Sequence, residues 1–346
     1  MGEHKRIVGI DFVRMVAVVS VICGHFFSVN TPYNQTPFEG VPIFIQGVLK
    51  SFFCNVGVPF FLLLTGFLCS HKTLSTSYYK SIERVLLPYV FISVITWLIL
   101  SETHTVKELV LGILGFKTIG YAWYVEMYIG LFLLIPFVNI ALNDVFKNGR
   151  TRYLLFTAIL MTAIPAFLNR NGITLVPGFW MMTFPLAFYI IGATVHHYQP
   201  DLKNRALGIV GALCLFAIGP CSEAILHKQG IDASLAGTYY SLINMGGSSL
   251  LFVSLYNLSF PKWLSHVFEF CAVAAFETFL FSYMFDKLLY PLFIGKFYVT
   301  QARFIVWFIP ITVSVFILSL LSAYIYKQGI DLIDKARSYV KNRSIR

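Results

Sequence analysis

The sequence predicts an all-α protein, a polytopic transmembrane bundle of about ten spans with both termini cytoplasmic. Three observations predict it: an extreme composition, a series of apolar stretches of spanning length, and an uneven placement of Lys and Arg. Of the 346 residues, 57% are hydrophobic and 12% are charged. Soluble domains lie near ~45–50% and ~25%. A soluble globule cannot hide that much apolar surface behind so few charges, whereas a bilayer solvates it. Aromatic residues make up 17% of the chain, with 34 Phe and 19 Tyr, which suits lipid-facing surfaces and interfacial belts. The net charge of +10 is explained by basic cytoplasmic loops. No basic stripe is interleaved with stacking aromatics, so a nucleic-acid partner is not expected.

A span needs ~20 mostly apolar residues. Candidate stretches run over 7–29, 50–70, 84–101, 121–142, 152–169, 178–197, 205–221, 237–258, 266–290 and 303–326. The seventh, short and rich in Gly and Ala, is the weakest. With the N-terminus placed inside, about two thirds of the Lys and Arg residues fall in inside segments. An odd number of spans would put the basic tail, 327–346, outside. The first apolar run is too long for a signal-peptide core and lacks a small-x-small cleavage site, so it is expected to remain in the mature protein. No connection is long enough for a soluble domain, and residues 1–346 are expected to form one integral membrane domain. The connection around 30–49 carries Pro32, Pro37, Gly40 and Pro42 and is expected to be irregular; the other long one is 102–120. There is no phosphate-binding GxxxxGK[ST] and no GxGxxG. The lack of an internal repeat weighs against a typical secondary transporter. Cys23, Cys54, Cys69, Cys214, Cys221 and Cys271 form no CxxC and read as small hydrophobes. No spacing suits a metal.

Charged groups inside spans are costly unless paired or hydrated, so each is a functional hypothesis. The first span reads RIVGIDFVRMVAVVSVICGHFF. Asp11 and Arg14 are an i,i+3 pair. Eleven helical steps lead from Arg14 to His25, a rotation that returns to within ~20° of the start. All three therefore share one stripe, which must face protein or water. Along the axis Arg14 and His25 are ~16 Å apart, a cation near the inside and a titratable base near the outside. That layout suits an elongated anionic cofactor with its charged head inside. Lys80 and Arg84, at the cytoplasmic mouth of the third span, are candidate phosphate ligands. The fourth span opens with Trp123, Tyr124, Glu126 and Tyr128. Glu126 lies at the depth expected for His25 and is a candidate to orient it. In the ninth span Glu277 must be protonated, paired or wet, with Arg14 or Arg84 as a possible partner; Glu269, Ser282 and Asp286 lie on the same span. Asn244, followed by Gly246 and Gly247, suits helix packing. His196 and His197 sit at a helix end whose dipole accounts for them.

Several of these residues come together in a pattern. Arg14 and His25 form R-x10-H in the first span. The second span reads VGVPFFLLLTGFLC, with Pro59, Phe60, Phe61 and Gly66, and Arg84 precedes Pro88-Tyr89. The chain resembles the acyltransferase-3 family of bacterial membrane acyltransferases over nearly its whole length. The segment AWYVEMYIGLFLLIPF resembles that of the subgroup acting on surface polysaccharides. The resemblance implies a ten-helix bundle in the bacterial plasma membrane. It implies transfer of an acyl group, usually acetyl, from cytoplasmic acyl-coenzyme A to a hydroxyl of an envelope or exported glycan. His25 corresponds to the family's essential histidine and Arg14 to its partner arginine; Arg84 matches a basic position before the third span. Two departures stand out. Only Arg84 remains of a basic pair, and LFSYMFD, with Ser282 and Tyr283, stands where a YLIHP-like segment with a second histidine is usual.

The resulting expectation is that Arg14, Arg84 and Lys80 bind acetyl-CoA as co-substrate and that His25 acts as base or acyl carrier. Asp11 and Glu126 would support catalysis, and Trp123, Tyr124, Tyr128, Glu277 and Ser282 would line the substrate site. Expected partners are acyl-CoA, a polysaccharide acceptor and membrane lipids, with a homo-oligomer left open. The rival class is a transporter or flippase of a polysaccharide or lipid-linked unit; a weaker third is a sensing module.

Overall fold

The computed structural model describes residues 6–169, 174–231 and 234–343. Lys5, Arg170 and Arg346, which enter the charge bias, lie outside the described residues. Among the described residues there is no strand, and eight helical segments are long and apolar enough to cross a bilayer. The protein is a multi-pass membrane protein.

Helix α1 (Val8–His25) runs on into a π-helical turn, Phe26–Asn30. A 3-10 turn over Pro32–Gln35 leads to α2 (Gly40–Cys69), which begins well before the expected position 50. Pro42 does not break it, because the first-turn amides of a helix lack intrahelical acceptors in any case. Helices α3 (Thr76–Lys80) and α4 (Glu83–Leu100) form the third crossing. The connection after it holds α5 (Val106–Leu114), whose N-cap Thr105 accepts from the Glu108 amide. Then come α6 (Trp123–Lys147), α7 (Thr151–Leu168), α8 (Phe184–Tyr198) and α9 (Arg205–His227). The seventh span, expected to be the weakest, is a full-length helix. The short one is the eighth, α10 (Leu242–Leu255). Its expected outer part is irregular backbone, and Asn244 donates to the Ala236 and Thr238 carbonyls at 2.8 and 2.9 Å. Asn244 thus satisfies a loop at membrane depth, where water is scarce, rather than joining two helices. The ninth span is a pair, α11 (Lys262–Val273) and α12 (Ala275–Phe297), bent by 65°. Helices α13 (Gln301–Phe304) and α14 (Phe308–Arg343) close the bundle.

Helix α1 is central. It packs against α2, α10, α11, α12 and α14, and Val13, Ala17 and Val18 are fully buried. A helix enclosed on all sides can carry polar residues without exposing them to lipid. Close crossings fix its neighbours. Gly66 of α2 meets the Tyr189 carbonyl of α8, and Gly192 of α8 meets the Leu63 carbonyl of α2. A methyl group at either glycine would strike backbone, which is the small-residue logic of helix contacts in membranes.

The six cysteines are free. Cys23 and Cys271 are buried as expected, whereas Cys214 and Cys221 lie on the outer surface of α9.

Candidate functional site

Polar groups gather at both ends of α1. At the Arg14 end, Asp11 is buried between two guanidinium groups. Arg6 bonds its Oδ2, and Arg14 lies 3.6 Å from its Oδ1. Arg6 also reaches Glu269. Asp11 therefore anchors cations, and ~21 Å of helix separates it from His25. On the open side of Arg14 lies a cavity of about 480 Å³. Arg14, Lys72 and Arg84 stand around it, and Phe61, Tyr124 and Phe279 line it deeper in. Glu277 also lines it, paired at 2.8 Å with Lys327 of α14. Neither Arg14 nor Arg84 is its partner. Lys80 is exposed and does not line the cavity; Lys72, absent from the sequence-based set, does.

At the other end, His25 is the last residue of α1 and is largely enclosed. Its Nδ1 lies 3.8 Å from Oδ2 of Asp286, a carboxylate fully buried on α12. The Tyr121 ring lies against the imidazole, with centroids 3.7 Å apart. Its hydroxyl donates to Asp286 Oδ2 at 2.6 Å. Asn30 donates to the same carboxylate oxygen at 2.9 Å and to the Tyr121 hydroxyl at 3.1 Å. The π-helical turn brings Asn30 back over the site, as such turns commonly do at functional positions. A buried brace holds that turn. Thr31 donates to the Phe26 carbonyl, and Gln301 of α13 donates to Thr31 and to Gln46.

Around the imidazole, His25 Nδ1, Asp286 Oδ1 and the Tyr290 hydroxyl are buried and make no hydrogen bond to the described residues. Asp286 stands on the Nδ1 side of the imidazole, beyond hydrogen-bond distance, so an approaching group would meet Nε2.

The two ends approach each other. Tyr124, which lines the cavity, is a single helical turn from Tyr121, which touches His25. On α12, Phe279 at the cavity is ~10 Å along the axis from Asp286.

Other sequence-based site residues fall elsewhere. Glu126 is exposed on the outside of α6 and is not the carboxylate at His25; Asp286 takes that place. Trp123 points outward on the same face of α6 as Glu126, while Tyr124 and Tyr128 face the cavity. Ser282 is buried and spends its hydroxyl on the Phe279 carbonyl at 2.7 Å, so it is not open to a substrate. Tyr283 packs edge-on against Tyr121. His197 stacks on Phe146 and His196 lies near Phe67, both well removed from His25 along the chain. Among the described residues no three His, Cys, Asp or Glu side chains come together as a metal site.

A family model described as an acyltransferase domain, the third of that designation, matches residues 7–325. No curated protein and no solved structure matches the chain.

Proposed function

Because the chain belongs to the acyltransferase-3 family, we propose that it is a membrane O-acyltransferase moving an acyl group, acetyl by preference, from cytoplasmic acyl-CoA to a hydroxyl of an envelope or exported polysaccharide. The observation that carries this reading is the cavity that starts among Arg14, Lys72 and Arg84 and ends at Tyr124 and Phe279, three residues along the chain from Tyr121 over His25 and ~10 Å along α12 from Asp286. A long ligand with a polyanionic head and a reactive tip fits that gradient. Arg14 and Arg84 offer forked donors to phosphate oxygens and Lys72 a point charge. The aromatic walls suit the thin, weakly polar arm that follows.

In this reading the Arg14 end and both chain termini are cytoplasmic, in a bacterial plasma membrane. His25 Nε2 takes the proton of the acceptor hydroxyl as its oxygen bonds to the thioester carbonyl carbon. The carbon–sulfur bond then breaks, and the leaving sulfur recovers the proton from Nε2. Asp286 stabilises the imidazolium between these transfers. Tyr121 and Asn30 hold Asp286. An acyl-enzyme that can be trapped, and that disappears in His25→Ala, would mark a route through an acylated histidine instead.

The test is mass analysis of envelope glycans from cells with and without the intact gene, beside acetyl-CoA turnover by purified protein. Loss of glycan acylation with the gene, restored by the wild type and not by His25→Ala, is expected. Unchanged acylation, or no turnover with any glycan, would sink the reading and favour the transporter class.

A further inference from the structure

A second polar cavity, about 480 Å³, opens at the His25 end, between the end of α4, the α5 connection and α12. Thr96, Trp97, Ser101, Glu108, Lys117 and Tyr283 line it. Its size is that of small-molecule sites, ~300–1,000 Å³. The wall is built rather than accidental. Tyr89 of α4 donates to the Ile113 carbonyl at 2.8 Å and stacks on Phe116, which pins α5 and its following turn to α4. Ser101 and Thr103 donate to the Glu108 carboxylate. Those hydroxyls, Thr103 first, hold the Glu108 carboxyl below its usual range and keep it an acceptor. Trp97 stands edge-on to His104. Thr96 is 1% exposed, and its hydroxyl has no hydrogen-bond partner among the described residues.

One pair of rings separates this cavity from the histidine. Tyr283 meets Tyr121 edge-on at 5.0 Å, and Tyr121 covers His25. Gly120 makes the fit possible, since a Cβ there would lie 2.8 Å from the Tyr283 ring. A further polar cavity at this end, lined by Tyr33, Lys50, Ser51, Asn55 and Glu223, touches α1 through Cys54 against the Gly24 carbonyl. It has no such link to the imidazole.

We propose that the cavity under α5 is the acceptor subsite, which takes a sugar unit of the glycan and presents one hydroxyl past Tyr283 to His25. Trp97 and Tyr283 offer apolar faces to the carbon skeleton of a pyranose. Glu108 accepts from sugar hydroxyls, Lys117 donates to them, and the Thr96 hydroxyl does either. The subsite rests on the acyltransferase reading for its purpose, although not for its ability to bind a sugar.

The test uses full-length protein in phosphatidylglycerol nanodiscs and de-O-acylated glycan purified from cells lacking the gene. Glu108→Gln, Lys117→Met and Thr96→Val are each expected to raise the acceptor KM about tenfold, the loss of one hydrogen bond to a charged or buried group. The Kd for acetyl-CoA is expected to stay unchanged. An unchanged acceptor KM in all three, or a tenfold rise in Lys50→Met instead, overturns the subsite. If wild-type protein transfers no acyl group, the acyltransferase reading falls alone, and glycan binding followed by saturation-transfer NMR decides the cavity. A glycan signal lost in Glu108→Gln supports the subsite. A signal indifferent to that change, no signal at all, or a lipid headgroup signal in its place overturns it.

Discussion

The two ends of α1 solve opposite problems. At the Arg14 end the cations stand around an open cavity, and its two buried carboxylates are paired, Asp11 with Arg6 and Arg14 and Glu277 with Lys327. At the His25 end the groups are largely enclosed, and two donors, Tyr121 and Asn30, converge on a single oxygen of Asp286. An open cationic mouth can exchange a large soluble anion, because its own groups are satisfied by water when the ligand is away. A largely enclosed dyad cannot exchange anything large, but its geometry is fixed before a substrate arrives. On the proposed function, the contrast separates binding from chemistry along one helix, and it predicts that substitutions at the two ends fail in different ways.

The largest effect is expected at His25. His25→Ala should lower turnover by at least ~10²-fold, the usual worth of a general base, with acyl-CoA affinity kept; calorimetric titration beside turnover checks both. Asp286→Asn should follow, losing ~10²-fold in kcat with little change in the KM for acyl-CoA. A loss confined to KM would break the division between the ends. Lys72→Ala and Arg84→Ala should do the reverse, each raising the KM for acyl-CoA up to about tenfold and weakening its dependence on salt; kcat should hold. The smallest effect is expected for Glu126→Gln. It should stay within ~0.5 kcal/mol in stability, as for a surface change away from such features, and should leave kcat unaltered. A large fall in kcat would restore Glu126 as the partner of His25.

Much of the Arg14 end was legible in the sequence, because Asp11, Arg14 and His25 lie on one helix and the helical period alone relates them. The dyad was not. Asp286 stands 256 residues from Asn30, its hydrogen-bond partner, and only the packing of α12 on α1 joins them. Glu126 was the candidate by depth, and Asp286 was only another polar residue of the ninth span. The choice between them turns on the rotation of α6, and a clue to that rotation was present. Trp123 and Glu126 are three residues apart and share a face; Tyr124 and Tyr128, four apart, share another. One helix could not aim both sets inward. Lys72 was hidden for a different reason. It follows the end of α2, and nothing in a loop's local sequence says which cavity its side chain will meet. The irregular turn at Asn30 was likewise beyond a period-based reading, since it departs from the period.

The thinness of the partition between the cavities has an electrical side. Two cavities approach from opposite ends, one cationic at its mouth and ending at the aromatic Tyr124 and Phe279, the other polar and ending at Tyr283. Between them stand a few aromatic rings, with His25 and Asp286 among them. Polar, hydrated space holds little voltage gradient, so in an energised membrane the potential falls mainly across that short dry layer. A full elementary charge moved across it exchanges ~2.3 kcal/mol per 100 mV with the field. On the proposed function a proton taken up by His25 crosses part of that layer, so the membrane potential would act on the same imidazole that the fold largely encloses.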